Sequence, residues 1–240
     1  MKANERHHLK QNEFAETTAN VLDLANANRG RIALGVGAVI LVLAIVGGYT
    51  YVRAQRANDA GALLGIAMAT AMGPVVPAPT LPGATQQPGT FPTEQARAEA
   101  AIKAFTEVTT QYPNTEAAIA AAYQIAAEHL AMGRAAEAEQ GFAAVVAKAG
   151  SGFYAPLARL GQAEAMMAGG KTTEALAIYN ELSAARDGAL PVDGILMELG
   201  RASLKAGKTA EARAAFKRVV DEFPESTFVA DAQQRLAATN

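Results

Sequence analysis

The chain has 240 residues, a net charge of −2 and no cysteine. The missing cysteine excludes disulfide frameworks, thiol catalysis and cysteine-ligated metals. Charge is uneven: residues 1–56 carry 7 Lys/Arg against 4 Asp/Glu, and residues 57–240 carry 14 against 19, so the acidic tail is a poor partner for nucleic acid.

The head, residues 1–31, is polar. Phe14, Val21, Leu22 and Ala25 share one side of a helix expected from about Glu13 to Ala27. His7 and His8 are adjacent and would diverge by about 100° on a helix. No third ligand accompanies them, so no metal site is read there.

Ile32 to Val52 follows, 21 residues without one charge. As a helix it would be about 31 Å long, close to the hydrocarbon thickness of a bilayer. Tyr49 and Tyr51 stand at its far end, where aromatic rings favour the membrane interface. The preceding segment is too long for a signal-peptide n-region, and no small-x-small cleavage pattern follows directly. The expectation is an uncleaved signal anchor through a lipid bilayer. Lys2, Arg6, Lys10, Arg29 and Arg31 on one side outnumber Arg53 and Arg56 on the other. The head is then cytoplasmic. In a bacterium this gives a single-pass inner-membrane protein with a periplasmic tail. Ala33/Gly37 and Ala44/Gly48 are small-xxx-small pairs that suit helix–helix contact within a membrane.

The tail, residues 53–240, begins with a helix expected over Gln55–Met72, continuing from the span, with Leu63, Leu64, Ala67 and Ala71 at helical spacing. Gly73 and Pro74 stop it. The segment 73–93 holds six of the chain's ten prolines and reads as a polyproline-like or disordered loop.

From residue 93 the chain repeats. Phe105, Phe142, Tyr179 and Phe216 stand 37 residues apart, and so do Ala101, Ala138, Ala175 and Ala212. Val108, Val145, Leu182 and Val219 keep the same step. Small, aromatic and aliphatic residues at i, i+4 and i+7 share one helix face. The alanine allows a close crossing, and the aromatic fills the space between hairpins. Gly133, Gly170 and Gly207 precede each later alanine by five residues and end the helix before it. A fixed period of this size signals stacked helical hairpins. In the first helices, Leu160–Gly161 and Leu199–Gly200 pair as equivalents, with about two extra residues in MMAGGK, and Ile125–Ala126 takes their place in the second hairpin. Tyr112–Pro113 and Phe223–Pro224 close their helices alike. The fold class is therefore all-α: one membrane-spanning helix, then a helical-hairpin solenoid of about four repeats. Residues 55–111 form a split first repeat, and Thr227 to Ala238 form a capping helix.

Leu199 to Pro224, LGRASLKAGKTAEARAAFKRVVDEFP, most clearly resembles a tetratricopeptide repeat, and the likeness extends over about 95–238. The period of 37 exceeds that family's usual 34. The layout of short head, single anchor and repeat tail resembles the YfgM-like ancillary subunits of the SecYEG translocon. That resemblance implies a membrane-anchored scaffold or chaperone-like adaptor of the cell envelope. Its partners would be Sec translocon subunits, periplasmic chaperones or exported clients. Repeats of this kind bind along their first helices, which nominates Tyr123, Gln124, Arg159, Gln162, Met197, Glu198, Arg201 and Lys205 as groove residues for an extended or helical peptide. The alternative is a structural envelope component that assembles with itself as a homo-oligomer or with a division or secretion complex.

No phosphate loop, GxSxG or HExxH is present, and His129 is the sole histidine of the tail. The reading is therefore a non-enzyme without cofactor.

Overall fold

The structure is a computed structural model that describes residues 27–78, 85–185 and 190–239. The expected head helix from Glu13 and the His7–His8 pair lie outside these residues. Two compact units form, Met1–Gln55 and Arg56–Asn240.

The described part of the first unit is helical. Helix α1 (Arg29–Ala71) contributes its N-terminal portion here and its remainder to the second unit. Val, Ile and Leu surround its axis, and the side chains from Ile32 to Val52 are exposed all round; Leu34 is 76% exposed. A helix of a water-soluble core has a polar face and a covered one. The stretch Ile32–Val52 has neither, and α1 is long and apolar enough to cross a membrane.

The second unit is all helical in its regular structure among the described residues. After α1 come α2 (Glu94–Gln111), α3 (Glu116–Ala131), α4 (Ala135–Ala149), α5 (Tyr154–Ala168), α6 (Thr172–Ala184), α7 (Val192–Lys205), α8 (Thr209–Glu222) and α9 (Val229–Ala238). From α2 onward each helix packs on the next, and α3 also meets α5. This is a solenoid of helical hairpins: α3–α4, α5–α6 and α7–α8, with α1 and α2 before them and α9 after.

The 37-residue period has a repeated physical basis at the turns. Gly133, Gly170 and Gly207 have φ of 72°, 81° and 71°, a left-handed conformation that glycine adopts without a Cβ clash. Each follows a first helix and closes it the same way. The amide of Arg134 donates to the His129 carbonyl at 2.9 Å, Lys171 to Met166 at 2.8 Å, and Lys208 to Ser203 at 2.8 Å. The glycine amides donate to Leu130, Met167 and Leu204. These paired bonds satisfy the last carbonyls of the helix, the Schellman arrangement. Thr93 and Thr115 cap α2 and α3 by accepting from the amides of Ala96 and Ala118.

Helix ends also keep the step. Ala131, Ala168 and Lys205 end α3, α5 and α7, and Ala135, Thr172 and Thr209 begin α4, α6 and α8. No residue is inserted in the third repeat, which corrects the expected equivalence of Gly161 with Gly200. The true register is Ala126, Ala163 and Gly200. Each of these packs with the aromatic sixteen residues onward: Ala126 with Phe142, Ala163 with Tyr179, Gly200 with Phe216. Gly161 has a different task. A Cβ on it would come within 2.6 Å of Phe142, the aromatic of the preceding hairpin. Phe142 is thus held between its own first helix and the next one.

Ala101, Phe105, Ala138, Phe142, Ala175, Tyr179, Ala212 and Phe216 are all buried. Phe105 gathers Ala67 of α1 and Ala121 of α3 around it. The proline-rich segment is pinned at its described ends. The Val76 amide donates to the Phe91 carbonyl at 2.8 Å, and the Phe91 amide to Pro74 at 3.0 Å. The Phe91 ring lies on Gly73, where a Cβ would meet Cδ2 at 3.0 Å. The described ends of the segment are thereby joined across its base.

Candidate partner-binding face

The first helices of successive hairpins, α3, α5 and α7, with α9 beyond them, carry the nominated residues. Tyr123 on α3 is half-buried. Its ring meets Phe142 edge-on, with centroids 5.4 Å apart, and Tyr154 at 5.7 Å. Tyr154 in turn contacts Phe153 at 5.4 Å, and Phe153 is 70% exposed. This aromatic row runs from the core to solvent. Burial, then Glu164 and Tyr154, raise the Tyr123 hydroxyl above its ordinary value. Gln124, the next residue, is half-buried.

Arg159 and Gln162 on α5 engage each other. Arg159 Nη1 donates to Gln162 Oε1 at 3.2 Å, and Nη2 reaches Glu181 of α6 at 2.9 Å. Arg159 is thereby turned toward the second helix of its own hairpin. By the 37-residue register its counterpart on α7 is Leu196, which is buried, and not Glu198.

Met197 is 1% exposed and packs in the core of the last two repeats. Its nomination as a groove residue is corrected: it stands about 100° around α7 from Glu198, on the inward side. Glu198 accepts from Arg201 Nη1 at 2.6 Å, and Arg201 Nη2 donates to Asp231 of α9 at 2.9 Å. Hydrogen bonding to Asp231 is the main reason the Arg201 guanidinium is raised, with Glu198 adding to it. The same bond lowers the Asp231 carboxyl, and Arg235 Nε, donating at 2.9 Å, lowers it further. Lys205 Nζ donates to the Met167 carbonyl at 3.3 Å.

Glu164 was missed. It sits one turn beyond Leu160 on α5, at the register position of Arg201, and the assumed two-residue insertion concealed that equivalence. Neighbouring protein raises its carboxyl above the usual range, and the like charge of Glu198 adds to the shift. Among the described residues it has no ion pair with Lys or Arg.

A cleft of about 200 Å³ opens between α5, α7 and the start of α9, lined by Leu160, Leu190, Pro191, Gly194, Ile195, Glu198 and Phe228. A second cleft of about 480 Å³ lies between α2 and α3, with Glu94, Arg97, Glu128 and Arg134 on its walls. Arg97 pairs with Glu94 there, and Arg134 with Glu99 of α2.

Residues 26–239 match the family described as the Tetratricopeptide repeat-like domain. Two crystal structures from Podosopora anserina, of a candidate kinesin light chain with nearly identical TPR-like repeats, each superpose with a TM-score of 0.53. Identity is 20% for one, a point variant, and 19% for the other. Both alignments cover 60% of this chain and 77% of the relative. At such identity the likeness is one of fold. No curated protein matches the chain by sequence.

Proposed function

The chain belongs to the tetratricopeptide repeat-like domain family, and from that premise we propose that it is a membrane-anchored scaffold, a chaperone-like adaptor at the Sec export machinery of a bacterial envelope. Repeats of this type are protein-interaction modules. Residues 32–52 are the anchor in the lipid bilayer, with the head cytoplasmic and the repeats periplasmic. The observation that carries the reading is the uncharged, exposed stretch Ile32–Val52 of a helix long and apolar enough to cross a membrane, in a chain whose remaining helices form a tetratricopeptide repeat-like solenoid. The first-helix face is the partner surface, with Gln124, Glu198, Arg201 and Lys205 retained from the sequence and Glu164 added. Partners are translocon subunits, periplasmic chaperones or exported clients; this rests on the layout, not on the groove.

A structural envelope role, with self-assembly or docking into a division or secretion complex, is the second reading. The open flanks of Gly37 and Gly48, where an added Cβ meets nothing, favour contact between spans. Affinity purification in mild detergent separates the two. Co-purification of translocon subunits is expected. A stable homo-oligomer or a division complex without them would support the second reading. Protease added to intact spheroplasts is expected to digest the repeats; their protection would overturn the orientation.

A further inference from the structure

We propose that the face shared by α5 and α7 docks a basic-apolar peptide segment, with one Leu- or Phe-sized side chain in the cleft between Leu160, Ile195 and Phe228 and a neighbouring Lys or Arg against Glu164 and Glu198. The inference rests on the scaffold reading and names the partner chemistry of that same face.

The cleft is apolar in its walls except for Glu198. It exists because position 194 lacks a side chain: a Cβ there would meet only Phe228 Cε2, at 3.7 Å. Leu160 and Glu164 are four residues apart on α5 and share its face. Glu198 on α7 is close enough to shift the Glu164 carboxyl. Apolar anchor site and carboxylates thus lie side by side.

Charge decides which peptide fits. The cations of this region are already engaged. Arg159 holds Gln162 and Glu181, Arg201 holds Glu198 and Asp231, Arg235 holds Asp231, and Lys205 holds a backbone carbonyl. Glu164, unlike Glu198, Glu181 and Asp231 around it, has no ion pair with Lys or Arg among the described residues. An acidic peptide would have to break these pairs and approach two carboxylates. A basic one meets charge already waiting for it.

The test uses the full chain in maltoside micelles and three fluorescein-labelled peptides of about 12 residues. One carries Leu and Lys in a Ser/Gly background; in the others Glu replaces Lys, or Ser replaces Leu. Anisotropy should show saturable binding of the Leu/Lys peptide alone. Raising sodium chloride from about 50 to about 300 mM should weaken it, as screening requires. Glu164→Gln should weaken it about fivefold, the order expected for one partly exposed charge pair. Gly194→Leu should fill the cleft and weaken it at least as much, with helical content by circular dichroism unchanged. Equal binding of the Glu peptide, or unchanged affinity in both variants, would overturn the proposal. A photo-crosslinker at Gln124 in cells separates the two levels. Protein captured there while the peptides bind indiscriminately sinks the basic-apolar assignment and spares the scaffold. No capture and no peptide binding overturns both.

Discussion

The ring of Phe216 lies on the backbone of Gly200, so close that a Cβ at position 200 would come within 2.6 Å of its Cζ. Both residues are buried in the core of the last repeats. An alanine in an exposed helix normally adds up to about 1 kcal/mol relative to glycine. At position 200 the sign reverses, because a well-packed ring must be displaced. Gly200→Ala should lower unfolding stability by roughly 2 kcal/mol. Gly61→Ala on α1, where nothing lies within reach of a Cβ, should be neutral or stabilising. Urea denaturation of the full chain in detergent measures both, and placing Gly200→Ala in a Phe216→Leu background should recover part of the loss.

Phe142 touches the first helices of two hairpins, through Ala126 and Gly161. Phe142→Ala should cost about 3–4 kcal/mol, as core truncations of this size do. It should also broaden the transition, because coupling between neighbouring repeats makes a solenoid unfold as one. Thermal melts followed at several wavelengths would show the loss of a single transition.

The turn glycines give a third measurement. At Gly207 the backbone is left-handed and space for a Cβ is open, so the penalty of a side chain is purely conformational. Gly207→Ala should cost about 1–2 kcal/mol, and Gly133→Ala and Gly170→Ala should behave alike. Similar values at three positions 37 residues apart would confirm that one turn is used three times.

Two carboxylates should respond to pH with opposite signs. The Glu164 carboxyl is raised by desolvation and by Glu198, so the folded state disfavours its charge. That cost is absent at low pH, where folded and unfolded forms are both protonated, and is complete above the raised value. Glu164 is exposed to solvent, which screens the effect, so Glu164→Gln should raise the melting temperature only slightly at pH 7 and have no effect once pH falls below the ordinary carboxylate range.

The Asp231 carboxyl is lowered by Arg201 and then by Arg235. Its contribution is present above the ordinary aspartate value and is lost as pH falls through the lowered one. Asp231→Asn should destabilise at pH 7 and converge with the parent in acid. The effect should be small, because the pair is partly solvated and salt screens it.

Much of the architecture was legible because the packing obeys one period. Alanine, aromatic and aliphatic residues recur every 37 positions since each hairpin buries the same face against the next, and the turn glycines recur because each turn needs a left-handed residue. The first helices were harder to read. Both α5 and α7 hold a Leu-Gly pair, Leu160–Gly161 and Leu199–Gly200, and matching its letters in place of the period shifted α5 by two residues. That slip brought Arg159 and Gln162 into the groove and left Glu164 out. Met197 is apolar and adjacent to Glu198, so only its place around the helix reveals that it points inward. The contact of Phe91 with Gly73 joins residues across a proline-rich segment whose composition gives no hint of a partner. Pairing choices such as Arg201 with Asp231 depend on how α7 and α9 meet, which no local pattern records.

The central claim is that a membrane-anchored chain presents the first-helix face of its repeats to a protein partner. Site-specific photo-crosslinking of the full chain in native membranes tests it most directly. Crosslinkers would stand at Gln124, Glu164 and Lys205 on α3, α5 and α7, with a control at Lys217 on α8. The account predicts one discrete partner from the first three positions and none from the control. Crosslinks from Lys217 alone, or none from any position in the membrane fraction, would contradict it.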